Sequence, residues 1–326
     1  MGAADHHITS GIDGAGETGG AVAALAGTPR ARPRVDWSNL SPLRLFFGPV
    51  FQREVRSTGR RRWTYVLRMI FPLGMLGIVT LAYMGMTQSL DHVGSSGVGG
   101  AARLQLLQRL APQLATVIAW CQFAALTFLG PVLTGPCICD EKRNRTLSAL
   151  MTTPMTSAQI ILGMLTSRLV HVFIITLAAA PLLLAIRIFG GLEASIILSF
   201  TGIVLSAGLA GATIGLFFSI GSRTATSAAT GAVLVLILQT AAPLAVLAYY
   251  AVHYNVPPPG WVYAVSPAMS MFGVTAGLFD GGGGPGAMGY QTLALLSTAI
   301  NLTLATITVL ISIVALRRVM LAQAAG

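Results

Sequence analysis

The chain has 326 residues, 54% of them hydrophobic and only 9% charged. An ordinary soluble domain carries about 25% charged residues. A soluble enzyme, a disordered protein and a coiled coil are therefore excluded, and an all-α, polytopic membrane protein remains. The net charge is +10, from 20 basic and 10 acidic residues, and Lys142 is the single lysine. On so apolar a chain the basic excess reads as orientation in a lipid bilayer with anionic headgroups. It does not read as nucleic-acid binding, which needs a basic soluble domain.

Residues 1–36 are Gly, Ala and polar without apolar periodicity, which predicts a disordered cytoplasmic tail. Ala21–Ala26 does not qualify as a signal-peptide site, because the stretch before it is acidic and its apolar core is too short. Residues 37–326 are expected to form one transmembrane domain. Between Trp37 and Trp63, Phe46, Phe47, Val50 and Phe51 stand beside Arg53, Arg56 and Arg60–Arg62. That mixture suits a helix lying in the headgroup region, or else a plain basic flank to the first span.

Six apolar runs follow, each near the length of about 20 residues that a bilayer core demands. They cover Tyr65–Met86, with Pro72 as a kink, then Leu114–Pro136, Leu165–Ile188, Ile196–Ile220, Ala228–Tyr250 and Leu293–Leu316. With both termini inside, 17 of the 20 basic residues fall on the inner side and only Arg103, Arg109 and Arg187 on the outer side. The positive-inside rule selects this topology.

Two connections are long. The outer one, His253–Tyr290, has Asp280 as its single charged residue and carries Trp261, Tyr263, Phe272 and Phe279. Ser266 followed by Pro267 predicts an N-cap and a first helical position, hence a short helix over Pro267–Phe279 lying on or dipping into the outer leaflet. The inner one, Cys137–Met164, is polar and basic at its start. Within it, Glu141 to Met151 is expected to form a short helix, with Leu147, Leu150 and Met151 on one face. Pro154 stops it, and Thr156 or Ser157 caps the helix that enters the third span. An amphipathic helix held between two spans can dock on a soluble partner and pass its motion to both.

Chemistry-bearing patterns are sparse. No Asp or Glu falls at a span midpoint, which argues against a proton- or sodium-coupled carrier. Gln122, Gln239 and Asn301 are read as bonding neighbouring helices. Cys121, Cys137 and Cys139 are odd in number and give no disulfide framework, and the Cys137–Cys139 pair lacks further metal ligands. Neither a metalloprotease motif nor a nucleophile elbow is present, so no catalytic residue, metal or cofactor is expected. Without a phosphate-binding glycine loop before Lys142, the chain is not itself an ATPase.

The stretch Glu141–Gly163 resembles the loop of type-2 ATP-binding-cassette permeases. The matching positions are Glu141, Thr146, Leu147, Leu150, Thr153, Pro154, Ile161, Leu162 and Gly163. Arg145 stands where that family has glycine, and Met164 where it has lysine. Gly48–Glu54 is similar to the family's interfacial elbow helix, here with Phe51, Arg53, Glu54 and Arg56, and the resemblance extends over about residues 48–318. It implies a permease, an exporter in most such systems, in a bacterial cytoplasmic membrane. A second permease copy, identical or not, and two cytoplasmic P-loop ATPase subunits are implied with it. Residues 141–154 become the ATPase-coupling helix, including Arg145 and Met151. An ATP-independent carrier or channel, and a non-transporting scaffold or sensor, are the competing readings. Finally, Ala207, Gly211 and Gly215 repeat at four-residue spacing in the fourth span. Such a seam brings helices close, either within one subunit or between two.

Overall fold

The computed structural model describes residues 62–91, 100–144, 156–190, 192–256, 258–279 and 288–325. Its elements are α1 (Arg62–Asp91), α2 (Gly100–Thr134), α3 (Pro136–Arg143), α4 (Ser157–Gly190), α5 (Ala194–Gly221), α6 (Ala225–His253), α7 (Gly260–Val265), α8 (Pro267–Phe279) and α9 (Tyr290–Ala325). No strand occurs among the described residues. Helices are what an apolar environment demands, because each backbone N–H and C=O must find its partner within the segment.

Five helices are long and apolar enough to cross a membrane: Leu110–Arg143, Ser157–Ile188, Ala194–Gly221, Ala225–His253 and Tyr290–Val319. The expected first span falls inside α1, whose described apolar stretch is shorter, Met69–Gly85. The chain is thus a multi-pass membrane protein. Large apolar residues such as Leu81, Leu198, Leu238 and Leu295 face outward, as lipid-facing positions do.

Helix α5 is the hub. In its most apolar window 78% is buried, against 17% in α6 and 22% in α9. It packs most extensively against α2 and α9 and also touches α4, α6 and α8. Its composition explains this position. Ala207, Gly208, Ala210, Gly211, Ala212 and Gly215 are buried along it, and small side chains let neighbouring backbones approach. Phe200, Ile203 and Val204 fill the core it shares with Ile118 and Leu126 of α2.

Several hydroxyls inside the spans are absorbed locally. Thr80, Thr176, Thr240 and Ser312 each donate to the carbonyl four residues back, the usual solution in an apolar surround. The three amides tie helices together or brace their own turn. Gln122 Nε2 donates to Thr176 O of α4 at 3.1 Å. Gln239 Nε2 of α6 donates to Asn301 Oδ1 of α9 at 3.3 Å, and Asn301 Nδ2 donates to Ser297 O at 2.8 Å.

Three expectations need correction or refinement. The inner connection does not open as a loop at Cys137, because α3 already occupies Pro136–Arg143 and buries Cys137, Ile138 and Cys139. Nor does a helix begin at Glu141. Pro136 at the first position starts α3, Lys142 and Arg143 lie in its last turn, and the Asn144 N–H closes it on Asp140 O. Helix α8 does run over Pro267–Phe279, but the Ser266 hydroxyl does not cap it; that oxygen is buried without a partner. The Ser266 backbone carbonyl instead receives Ser270 N–H at 2.9 Å. Helix α8 packs against α9 and α5 with Met269, Met271 and Val274 buried.

Candidate functional site

One end of the bundle carries Lys142, Arg143, Arg223, Arg317 and Arg318, and is called the basic end below. There Cys137 and Ile138 of α3, Ile160, Ile161 and Met164 of α4, Leu216 and Ile220 of α5, and Leu316 of α9 form one buried cluster. The beginnings of α3 and α4 and the ends of α5 and α9 therefore converge. The polar contacts around the cluster follow from helix ends needing partners.

Helix α3 starts at Gly135–Pro136, and neither residue offers a side-chain cap. The acceptor comes from elsewhere. Ser219, in the last turn of α5, takes the N–H groups of Ile138 at 3.0 Å and Cys139 at 3.1 Å on its hydroxyl oxygen. The Ser219 side chain is completely buried. The Cys139 thiol donates back to Ser219 O at 3.4 Å. At the far end of α3, the Lys142 ammonium donates to Ile220 O, one of the terminal carbonyls of α5. A cation is favoured at that end of a helix. Helix α4 starts on a reciprocal pair: Gln159 N–H donates to Thr156 Oγ1 at 3.3 Å, and Thr156 N–H to Gln159 Oε1 at 3.0 Å. This is a capping box.

The small residues of α5 meet α2. A methyl group on Gly215 would lie 2.7 Å from Pro131 Cα, and one on Gly211 would lie 3.3 Å from Thr127 O. Across the same crossing, a methyl group on Gly130 would lie 2.9 Å from Gly208 O. Ala207 is buried in the core beside them.

At the opposite end, Glu193 before α5 accepts from Ser195 Oγ at 2.9 Å and from the Tyr290 hydroxyl at 3.1 Å. The first residue of α9 is thereby tied to the start of α5. Trp120 Nε1 of α2 donates to Thr275 Oγ1 of α8 at 3.2 Å. Open-sided apolar cavities among the described residues include one of about 480 Å³ between α5, α6 and α9, one of about 420 Å³ between α2, α6 and α8, and one of about 280 Å³ between α2, α4 and α5. Among the described residues no group of three or more His, Cys, Asp or Glu is placed to hold a metal. Cys121, Cys137 and Cys139 are not joined in a disulfide.

Of the residues singled out from the sequence, Glu141 lies in the last turn of α3, half-buried. Arg145, Thr146, Leu147, Leu150, Met151, Thr153 and Pro154 fall outside the described residues. So do Phe51, Arg53, Glu54 and Arg56, and the whole of the 1–36 tail. Sequence reading passed over Ser219. Its signal was indirect: a helix opening on Gly-Pro has no cap of its own and must find an acceptor on a neighbour.

A family model described as ABC-2 family transporter protein matches residues 49–270, more than half of the chain. The chain belongs to that family. No curated protein matches it. The match spans α1 to the start of α8, and so takes in both partners of the α3–α5 contact. As an ABC-2 family protein the chain is a membrane component of an ATP-binding-cassette transporter.

Proposed function

We propose that this ABC-2 protein is the permease of an exporter driven by two copies of a separate cytoplasmic P-loop ATPase. It pairs with a second permease, identical or related, in a bacterial cytoplasmic membrane. Both termini are cytoplasmic, so the basic end faces the ATPase. The segment from Glu141 to Pro154 is the coupling element, with Leu147, Leu150 and Met151 as its docking face and Arg145, Thr146 and Thr153 around it. Phe51, Arg53, Glu54 and Arg56 form an interfacial elbow before α1.

The observation that carries this reading is the family match over 49–270, which includes that segment. The basic residues at one end of the bundle support the orientation, and the absence of any Asp or Glu at the midpoint of a described span argues against ion coupling. The test is purification of the tagged chain in mild detergent from its native membrane. A stoichiometric P-loop ATPase, lost when Leu147 and Leu150 are both replaced by Asp, is the expected result. ATP-independent transport by the lone chain in liposomes would overturn the reading in favour of a carrier.

A further inference from the structure

Helices α3 and α5 cap each other. The N-terminal turn of α3 has N–H groups with no partner inside the helix, in a place where Ile138 and Cys139 are almost fully buried. Ser219 of α5 supplies the missing acceptor to Ile138, the third residue of α3, and accepts from Cys139 as well. The C-terminal turn of α5 has carbonyls with no partner inside that helix, and Lys142 of α3 supplies a donor to Ile220 O. Each helix thus satisfies the terminus of the other. The Cys139 thiol adds contacts to Ser219 O at 3.4 Å and Ser222 O at 3.6 Å. Ile138, Leu216 and Ile220 close the apolar side.

Geometry gives this pair a consequence. Bonds at both ends of a two-turn helix prevent it from tilting or sliding independently of its partner. Helix α3 ends at Arg143, so the segment that the proposed function assigns to ATPase docking, Glu141 to Pro154, begins in its last turn. A push on that segment is delivered to α3, and through Ser219 and Lys142 to α5. Helix α5 is the most deeply buried span and touches α2, α4, α6 and α9. The covalent neighbours of the docking segment are only α3 and α4.

We propose that Ser219 and Lys142 are positioning residues that couple the docking segment to α5, so that ATPase motion enters the bundle through its central helix as well as through the spans on either side of the loop. This rests on the permease reading above. Neither residue touches substrate or nucleotide in this scheme; both act through the α3–α5 contact.

The test uses the purified permease–ATPase complex and hydrogen exchange at two segments, 136–144 in α3 and 216–224 at the end of α5. Exchange is compared without nucleotide and after trapping with ATP and vanadate. In the unaltered complex both segments change on trapping. In the Ser219→Ala, Lys142→Met double variant the change at 136–144 is retained while the change at 216–224 is lost. Lys142→Arg, which keeps a donor for Ile220 O, restores the response in a Ser219-containing background where Lys142→Met weakens it. A purely structural role would alter stability in both variants without separating the two segments. If the double variant does not assemble, the Lys142→Met and Lys142→Arg comparison carries the test.

An equal response at 216–224 in the unaltered complex and in the variants overturns the coupling role. A preparation without any ATPase, or one in which 136–144 ignores nucleotide, overturns the permease reading instead, and the coupling role with it.

Discussion

Gly215→Ala tests how closely α2 and α5 approach. The added methyl group would lie 2.7 Å from Pro131 Cα and 3.1 Å from Pro131 O. Both are backbone atoms, so turning the Thr134 side chain, which the methyl also meets, does not relieve the clash. The helices must separate, and Pro131 sits inside α2, where the chain is committed to the crossing. Overpacking of this kind costs about 1–3 kcal/mol, while alanine returns up to about 1 kcal/mol of helix propensity. The expected net loss is about 1–2 kcal/mol. Two companions set the scale. Gly211→Ala meets Pro131 Cδ and Thr127 O at 3.3 Å, a contact that relaxes with a small shift, and its loss is smaller. Gly77→Ala in α1 meets nothing within 4 Å, so propensity alone acts and the variant is neutral or more stable by up to about 1 kcal/mol. Thermal unfolding of the three purified variants in one mild detergent reads the order directly. Size-exclusion chromatography separates a seam within the chain from one between copies, because only the latter changes the oligomer. Equal unfolding of Gly215→Ala and Gly77→Ala would refute the close crossing.

Other substitutions probe single contacts. Asn301→Leu removes one of the two acceptors of Gln239, leaving Val265 O, and should lower the midpoint modestly, since an interhelical hydrogen bond in a membrane is worth about 0.6 kcal/mol on average; a loss of several kcal/mol would show that Asn301 carries more than the bonds to Gln239 and Ser297. Thr156→Ala removes half of a capping box and should cost about 1 kcal/mol, read as faster amide exchange at residues 157–160. Glu193→Ala releases Tyr290 and Ser195 at an exposed site, where less than about 1 kcal/mol is expected; an unchanged midpoint together with a changed tyrosine environment in fluorescence is the predicted outcome. Cysteines placed at Asn144 and Arg318 in a background lacking the native thiols should react with an impermeant reagent from one membrane face, and one placed at Tyr254 from the other. Labelling of Asn144 and Arg318 from opposite faces would refute the proposed topology.

The spans were legible because an apolar run of membrane length has one physical solution. The Ile196–Ile220 run became α5 with a shift of only a residue or two at each end, and Pro267–Phe279 was bounded correctly because serine, proline and glycine punctuate it so clearly. The capping of α4 by Thr156 was equally readable from local spacing. What failed was non-local. The start of α3 at Pro136 is met by Ser219, some eighty residues away, so nothing local marked a helix opening ahead of Glu141, while the Leu147 face lies outside the described residues. The Ser266 hydroxyl looked like a cap in sequence, but its backbone carbonyl serves the turn and the side chain is sealed in the core. The small-residue seam on α5 was visible as spacing, whereas its partner helix was not: nothing local in Gly211 or Gly215 points to Pro131.

The basic end shows how the chain separates two uses of polar groups. Its helix termini are satisfied mainly by neutral side chains: Ser219 for α3, Thr156 with Gln159 for α4, and Thr224, which accepts from Ser227 N–H at 3.3 Å, for α6. Lys142 is a charge drawn into this work. Arg143, Arg223, Arg317 and Arg318 remain at the surface, where a cation contributes to membrane orientation and to anionic headgroups. The two sets should therefore respond differently to the same change of conditions. Removing a cap exposes or strands a backbone donor and costs stability whatever the ionic strength. Removing a surface arginine leaves the fold intact and weakens an attraction that salt already screens within about 10 Å at 0.1 M. Unfolding midpoints of Arg318→Gln and Ser219→Ala, each measured at low and high salt in detergent and in vesicles containing anionic lipid, distinguish the sets. The serine variant should lose stability in every condition. The arginine variant should differ from the parent only in the anionic vesicles at low salt, because there alone does the bundle end meet a charge that its arginines can recognise.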